Sequence, residues 1–105
     1  MTTYLLTRHV GAVKWMQAMG HHYDKHLNHL ASYDNLAKGD TVIGSLPINI
    51  VADINQLGVK YVHLSLVIPE ELRGVELSLE QLIRLEAKLE TFSVIRSDDH
   101  TPHSK

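Results

Sequence analysis

The sequence predicts an α/β domain: a mostly parallel sheet flanked by helices. Three observations carry that expectation. Short β-rich runs alternate with segments of helical periodicity, the order that generates parallel strands joined by crossover helices on both faces. The stretch Thr41–Gln56, TVIGSLPINIVADINQ, holds one complete unit of this kind. And 105 residues with 44 % hydrophobic content are enough for one core and leave no room for a second domain.

That central unit reads as a buried strand, Thr41-Val42-Ile43, a tight turn, Gly44-Ser45-Leu46, and a helix opening at Pro47. Proline suits the first helical position, where its missing N–H has no partner to lose. Apolar residues at 47, 50, 51, 54 and 57 keep the helical period. Gly44 permits an unusual dihedral or a close approach by a ligand. Amide N–H groups and the Ser45 hydroxyl at such a helix start suit an anion, phosphate above all, although an ordinary strand-to-helix turn has the same pattern.

In chain order, TYLLT (3–7) reads as the first strand, buried. Arg8-His9-Val10-Gly11 is a loop, and Ala12–Met19 a helix stopped by Gly20. Lys25–Leu30 reads as an outer strand. Ala31–Asp40 is a polar connector, with a helical turn near Asn35–Ala37 and a turn at Lys38-Gly39-Asp40. Gly58 ends the second helix. Lys60–Val67 alternates as a fourth strand, and Pro69–Gly74 is a loop. Ser78-Leu79-Glu80-Gln81 is a capping box that opens a helix to about Leu89, with Leu79, Leu82, Ile83 and Leu85 available for the core. Phe92–Ile95 is a short last strand. Residues 1–96 form the single domain and 97–105 a disordered tail with little to bury.

A net charge of −2 with His neutral gives no broad basic face, so long nucleic acid is not an expected partner. The absence of Cys removes disulfides, thiolate catalysis and Cys-ligated zinc, and fits a cytoplasmic location. No apolar run reaches membrane-span length. Phosphate loops of the GxxxxGK[ST] or GxGxxG type and the GxSxG elbow are missing. Asp24, Asp34, Asp40 and Asp53 lack the spacing of a two-metal site. His21, His22, His26 and His29 are read as solvated histidines rather than a zinc site, because the helix that would pair them is broken near Gly20. No metal or other cofactor is expected.

Ligands of open parallel sheets sit beyond the carboxyl ends of the strands. The candidate chemistry gathers there. Arg8 offers a planar fork of donors for phosphate, and His9, beside Gly11, can move a proton near neutral pH. Gly44 to Leu46 follow the third strand. Ser65 lies near the end of the fourth, and Arg73 and Gly74 in the loop after it. His63 shares a face with Ser65 and serves equally well as a buried, hydrogen-bonded histidine.

The segments RHVGAVKW (8–15), GDTVIGSLPINIVADI (39–54), KYVHLSL (60–66) and RGVEL (73–77) together resemble a small stand-alone protein family found beside type III CRISPR loci, related to CARF-type sensor domains and similar to a ring nuclease group. The resemblance spans about residues 3–95. Val10, where relatives often carry Pro, and Ser45, where Thr is common, depart from its pattern. It implies a small Rossmann-like (CARF-like) fold. It also implies a homodimer that binds cyclic tetra-adenylate across its two-fold axis and cuts the ring, ending a type III antiviral signal. The site expected from it has Arg8, His9 and His63 as catalytic residues, with Gly11, Gly44, Ser45, Leu46, Asn49, Ser65 and Arg73 binding the ligand. Trp15 could stack an adenine, though its helical position favours the core. A sponge that only binds the ring, or a sensor acting through a protein partner, would use the same positioning groups.

Overall fold

The computed structural model describes residues 1–97. The strands are β1 (Thr3–Leu6), β2 (Lys25–Leu27), β3 (Thr41–Gly44), β4 (Lys60–Ser65) and β5 (Lys88–Phe92), and the helices are α1 (Val10–Ala18), α2 (Ile48–Gln56) and α3 (Leu79–Arg84). A single 3₁₀ turn covers Glu70–Leu72. The strands form one sheet in the order β2-β1-β3-β4-β5. Four run parallel, with Leu6 beside Gly44 and Gly44 beside His63, and β5 closes the edge antiparallel to β4. This is the mixed α/β, mostly parallel architecture that the sequence implied, compatible with a small Rossmann-like fold.

The sheet is covered on both faces. Alternation sends Tyr4, Leu6, Val42 and Tyr61 to one side, where they pack with Val51 and Ile54 of α2. Leu5 and Ile43 point to the other side and meet Trp15 and Met16 of α1 and Leu82 of α3. Trp15 is only 2 % exposed, which fixes it as a core residue and removes it from any stacking role. Leu82 is buried, whereas Ile83 is 46 % exposed and faces away from the core.

Several boundaries differ from the sequence reading. Helix α1 begins at Val10, so Val10 and Gly11 are helical rather than loop. Pro47 caps α2 from outside, in extended conformation, instead of opening it. Strand β2 is shorter than 25–30 and β4 shorter than 60–67. The connector 31–40 holds turns at 34–35 and 38–39 but no helical turn. The capping box is present, with the Gln81 N–H donating to Ser78 Oγ at 3.2 Å and the Ser78 N–H donating to Gln81 Oε1 at 2.9 Å. Helix α3 nevertheless ends at Arg84, not near Leu89. Glu86 turns the chain with φ 58°, and Lys88–Phe92, not Phe92–Ile95, is the last strand. Of the expected tail, Ser97 is described and has a partner. The remainder, 98–105, lies outside the described residues.

Candidate functional site at the carboxyl ends of the strands

An open cavity of about 1040 Å³ lies beyond the carboxyl ends of the strands, where parallel α/β sheets hold ligands. Leu6, Thr7, Arg8 and His9 bring the end of β1 to it, Gly44, Ser45 and Leu46 the end of β3, and Leu64 and Leu66 the end of β4. The β2–β3 connector adds 28–33 and the segment before α3 adds 74–77.

The β1–α1 junction is short and tightly fixed. The His9 N–H donates to Thr7 Oγ1 at 3.1 Å, and the His9 carbonyl accepts from the Ala12 and Val13 N–H groups. His9 thereby sits at the N-cap of α1. Its Nδ1 lies 2.9 Å from Glu76 Oε1, with both side chains about 60 % exposed. An imidazole that donates Nδ1–H to a carboxylate leaves Nε2 free to accept a proton. Sequence reasoning missed Glu76, although it lies in the RGVEL segment; the missing signal was the third dimension, because 67 positions separate it from His9.

Gly11 belongs to this junction for a packing reason. A Cβ there would land on the Leu77 carbonyl oxygen, so α1 lies directly against the backbone leading into α3. Gly11 does not line the cavity. Gly44 has no positive φ; a Cβ on it would stand 2.6 Å from the Leu6 carbonyl oxygen. Its smallness therefore serves the approach of β3 to β1, although its backbone does line the cavity.

Tyr61 holds the β3–α2 turn. Its buried hydroxyl accepts the Leu46 N–H at 2.9 Å, donates to the Gly44 carbonyl at 3.0 Å and lies 2.6 Å from His63 Nδ1. Burial pushes the Tyr61 phenol up, partly offset by the Leu46 N–H, so it stays protonated. The Leu46 N–H is thus already used within the fold, a correction to its expected part in gripping phosphate. The Ser45 side remains exposed on the cavity rim.

The other expected residues are not gathered here. His63 alternates onto the α2 face with Tyr61, while Leu64 and Leu66, on the opposite face, are the β4 residues that reach the cavity. The His63 ring packs edge-on to Phe92 at 5.9 Å. Ser65, Asn49 and Arg73 also lie outside the cavity lining. The Asn49 carbonyl instead accepts from Arg96 Nη2 at 3.4 Å.

The histidine-rich segment has separate partners. His22 Nε2 meets Asp24 Oδ1 at 2.8 Å, and His26 Nε2 meets the Thr7 carbonyl at 2.8 Å. Among the described residues no group of three or more His, Asp or Glu is placed to hold a metal ion. On the far side of the cavity, Tyr33 donates its hydroxyl to Asp53 Oδ2 at 2.8 Å, and Arg96 Nη2 stands 3.0 Å from Asp53 Oδ1. The Tyr33 hydrogen bond and then the Arg96 guanidinium hold the Asp53 carboxyl below its usual range, and Asp53 in turn raises the Tyr33 phenol.

The open, mostly parallel α/β sheet with Arg8 and His9 at its carboxyl rim defines a fold class: a small domain compatible with a Rossmann-like build. Within that class, residues 4–95 match the family model described as "Putative CRISPR-associated protein (Cas_VVA1548)", and the chain belongs to that family. No curated protein and no solved structure matches it. No helix among the described residues is long and apolar enough to cross a membrane.

Proposed function

We propose that the protein is a metal-independent ring nuclease that binds cyclic tetra-adenylate, two copies to one ring, and cleaves it to linear oligoadenylates ending in 2′,3′-cyclic phosphate. The observation that carries this reading is the His9–Glu76 pair beside Arg8 on the rim of the strand-end cavity. Family membership supports the CRISPR context, and the resemblance described above supports the ligand. Neither α1 nor α2 has a side-chain cap at its N-terminus, so first-turn N–H groups are available to an anion at both junctions. A compact ring of four phosphates needs a few such donors, not a basic surface. An isologous dimer would offer each rim twice.

In this reading the ribose 2′-OH attacks the adjacent phosphorus in line. Its proton passes to His9 Nε2 while Nδ1–H stays on Glu76. The 2′-O–P bond forms, the P–O5′ bond breaks, and the departing 5′ oxygen takes a proton from water. Arg8 neutralises the charge gathering on the phosphoryl oxygens. His63 acts at a distance, through Tyr61, rather than on the phosphate.

Radiolabelled cyclic tetra-adenylate incubated with the protein in excess EDTA tests the scheme. Cleavage should persist, His9→Ala should slow it by about 100-fold or more with binding kept, and Arg8→Ala should weaken binding. Loss of cleavage in EDTA with recovery on adding magnesium or manganese would overturn the metal-free route. The high exposure of His9 and Glu76 favours one rival, a sponge that returns the ring intact. Single-turnover product analysis separates the two.

A further inference from the structure

We infer that the interior of the cavity is a nucleobase subsite and that the ring of Tyr33 is its stacking wall. The inference rests on the oligoadenylate reading only for the identity of the base.

The cavity has two chemical halves. Its rim carries Arg8, His9 and Ser45, groups suited to phosphate and ribose. Its interior on the α2 side is apolar, with Leu6, Leu30, Leu46 and Ile50. Such a lining offers a phosphate no donor and strips its hydration without replacing it. It suits a flat, weakly hydrated group attached to a charged one, which is the build of a nucleotide.

Tyr33 is the one Phe, Tyr or Trp among the described residues that lines this space. It is half-buried, packing on one side against the α2 core cluster. Its hydroxyl is fixed at 2.8 Å on Asp53, and Asp53 is itself held by Arg96 at 3.0 Å. The backbone is fixed too, because the Tyr33 carbonyl accepts the Leu36 N–H at 3.0 Å, and the Tyr4 hydroxyl donates to the Asn35 carbonyl at 3.2 Å. A ring anchored at both ends has little rotamer freedom left to lose when a base stacks on it. Asn28 also lines the cavity, and among the described residues its amide makes no hydrogen bond. A carboxamide can pair two-pronged with the amino group and ring nitrogen of adenine.

The test is titration of the full chain with adenosine 5′-monophosphate and, separately, ribose 5-phosphate, followed by proton NMR of the tyrosine rings. Tyr33→Phe supplies the assignment. The nucleotide should move the Tyr33 ring signals upfield in a saturable way, and the sugar phosphate should not. Tyr33→Leu, checked for a wild-type unfolding temperature, should weaken the nucleotide by about tenfold, from the worth of one base–aromatic stack. Unmoved Tyr33 signals at saturating nucleotide in the wild-type protein would overturn the inference without any variant. So would equal binding of the two ligands, or a folded Tyr33→Leu with unchanged affinity. The two proposals fail separately. A protein that leaves cyclic tetra-adenylate unbound yet shifts Tyr33 with the mononucleotide keeps the subsite and loses the ring nuclease. One that cleaves the ring equally well as Tyr33→Leu does the reverse.

Discussion

The two ends of the sheet are built on opposite terms. At the amino end, side-chain carboxylates clasp the first strand. Asp40 Oδ1 accepts the Thr2 N–H and Oδ2 the Ala37 N–H, at 2.8 and 2.9 Å, and Asp24 Oδ2 accepts the Thr3 N–H at 2.8 Å. Asp40 is 5 % exposed and fully engaged. At the carboxyl end the charged groups stand in water around an open cavity, and α1 and α2 start there without side-chain caps, whereas α3 starts on the Ser78 capping box. Donors that are satisfied hold the fold together; donors left open are what a ligand can use. The Gly11 contact, the Tyr61 clamp and the Ser78 capping box are exceptions at the carboxyl end, and they brace the rim.

The sharpest way to break this contrast is at the brace. Gly11→Ala forces a methyl into the Leu77 carbonyl, and should cost about 3 kcal/mol of unfolding free energy by chemical denaturation, in the range of overpacked cores. A cost below 1 kcal/mol would mean that α1 slides freely over the segment before α3. Tyr61→Phe removes a buried hydroxyl and strands the Gly44 carbonyl and Leu46 N–H, for about 2 kcal/mol. It should also weaken ligand binding by loosening the turn.

At the amino end the expected signature is in pH. The Thr2 and then Ala37 N–H groups hold the Asp40 carboxyl below its usual range, and the Thr3 N–H does so first for Asp24, followed by His22. A carboxyl depressed in the folded state contributes stability that is present above its unfolded pKa, about 4, and lost as pH falls through the folded value. Asp40→Asn keeps one acceptor but opposes a donor to one of the two N–H groups. Thermal unfolding should therefore show the gap between wild type and Asp40→Asn widest near neutral pH and narrowing toward pH 3, with ligand affinity unchanged. A gap independent of pH would mean that the clasp is steric rather than ionic. The smallest effect is expected at the rim itself. Glu76→Gln should change stability by less than about 0.5 kcal/mol, as for exposed pairs generally, while slowing ring cleavage in single-turnover assays.

Much of the fold was legible because local signals agreed with tertiary need. The strand-turn-helix of 41–56, the capping box at Ser78 and the stops at Gly20 and Gly58 all stand where their chemistry put them. The end of α3 was not legible. Leu85 and Leu89 continue the helical period of Leu79, Leu82 and Ile83, and nothing in Glu86 announces a left-handed turn that glycine would ordinarily occupy. Strand order along the chain also hid the antiparallel β5, because the helix-bearing connection 66–87 has the look of a parallel crossover. Arg8, His9 and Ser45 were placed at the cavity by topology alone. Glu76 and Tyr33 were not, because both lie in polar connectors without periodicity and acquire meaning only from residues 67 and 20 positions away. His63 shares a face with Ser65 and opposes Val62 and Leu64 as the alternation implied, but neither His63 nor Ser65 lines the cavity.

The three contacts of the Tyr61 oxygen carry one more consequence. A phenol owns a single proton, and here two acceptors face it, the Gly44 carbonyl and the His63 ring. If the proton goes to the imidazole, the carbonyl is left without it. If it goes to the carbonyl, the imidazole must bring a proton of its own to Nδ1, and every group in the cluster is then satisfied. The second arrangement fixes the tautomer of His63 and turns the lone pair of its Nε2 away from the turn.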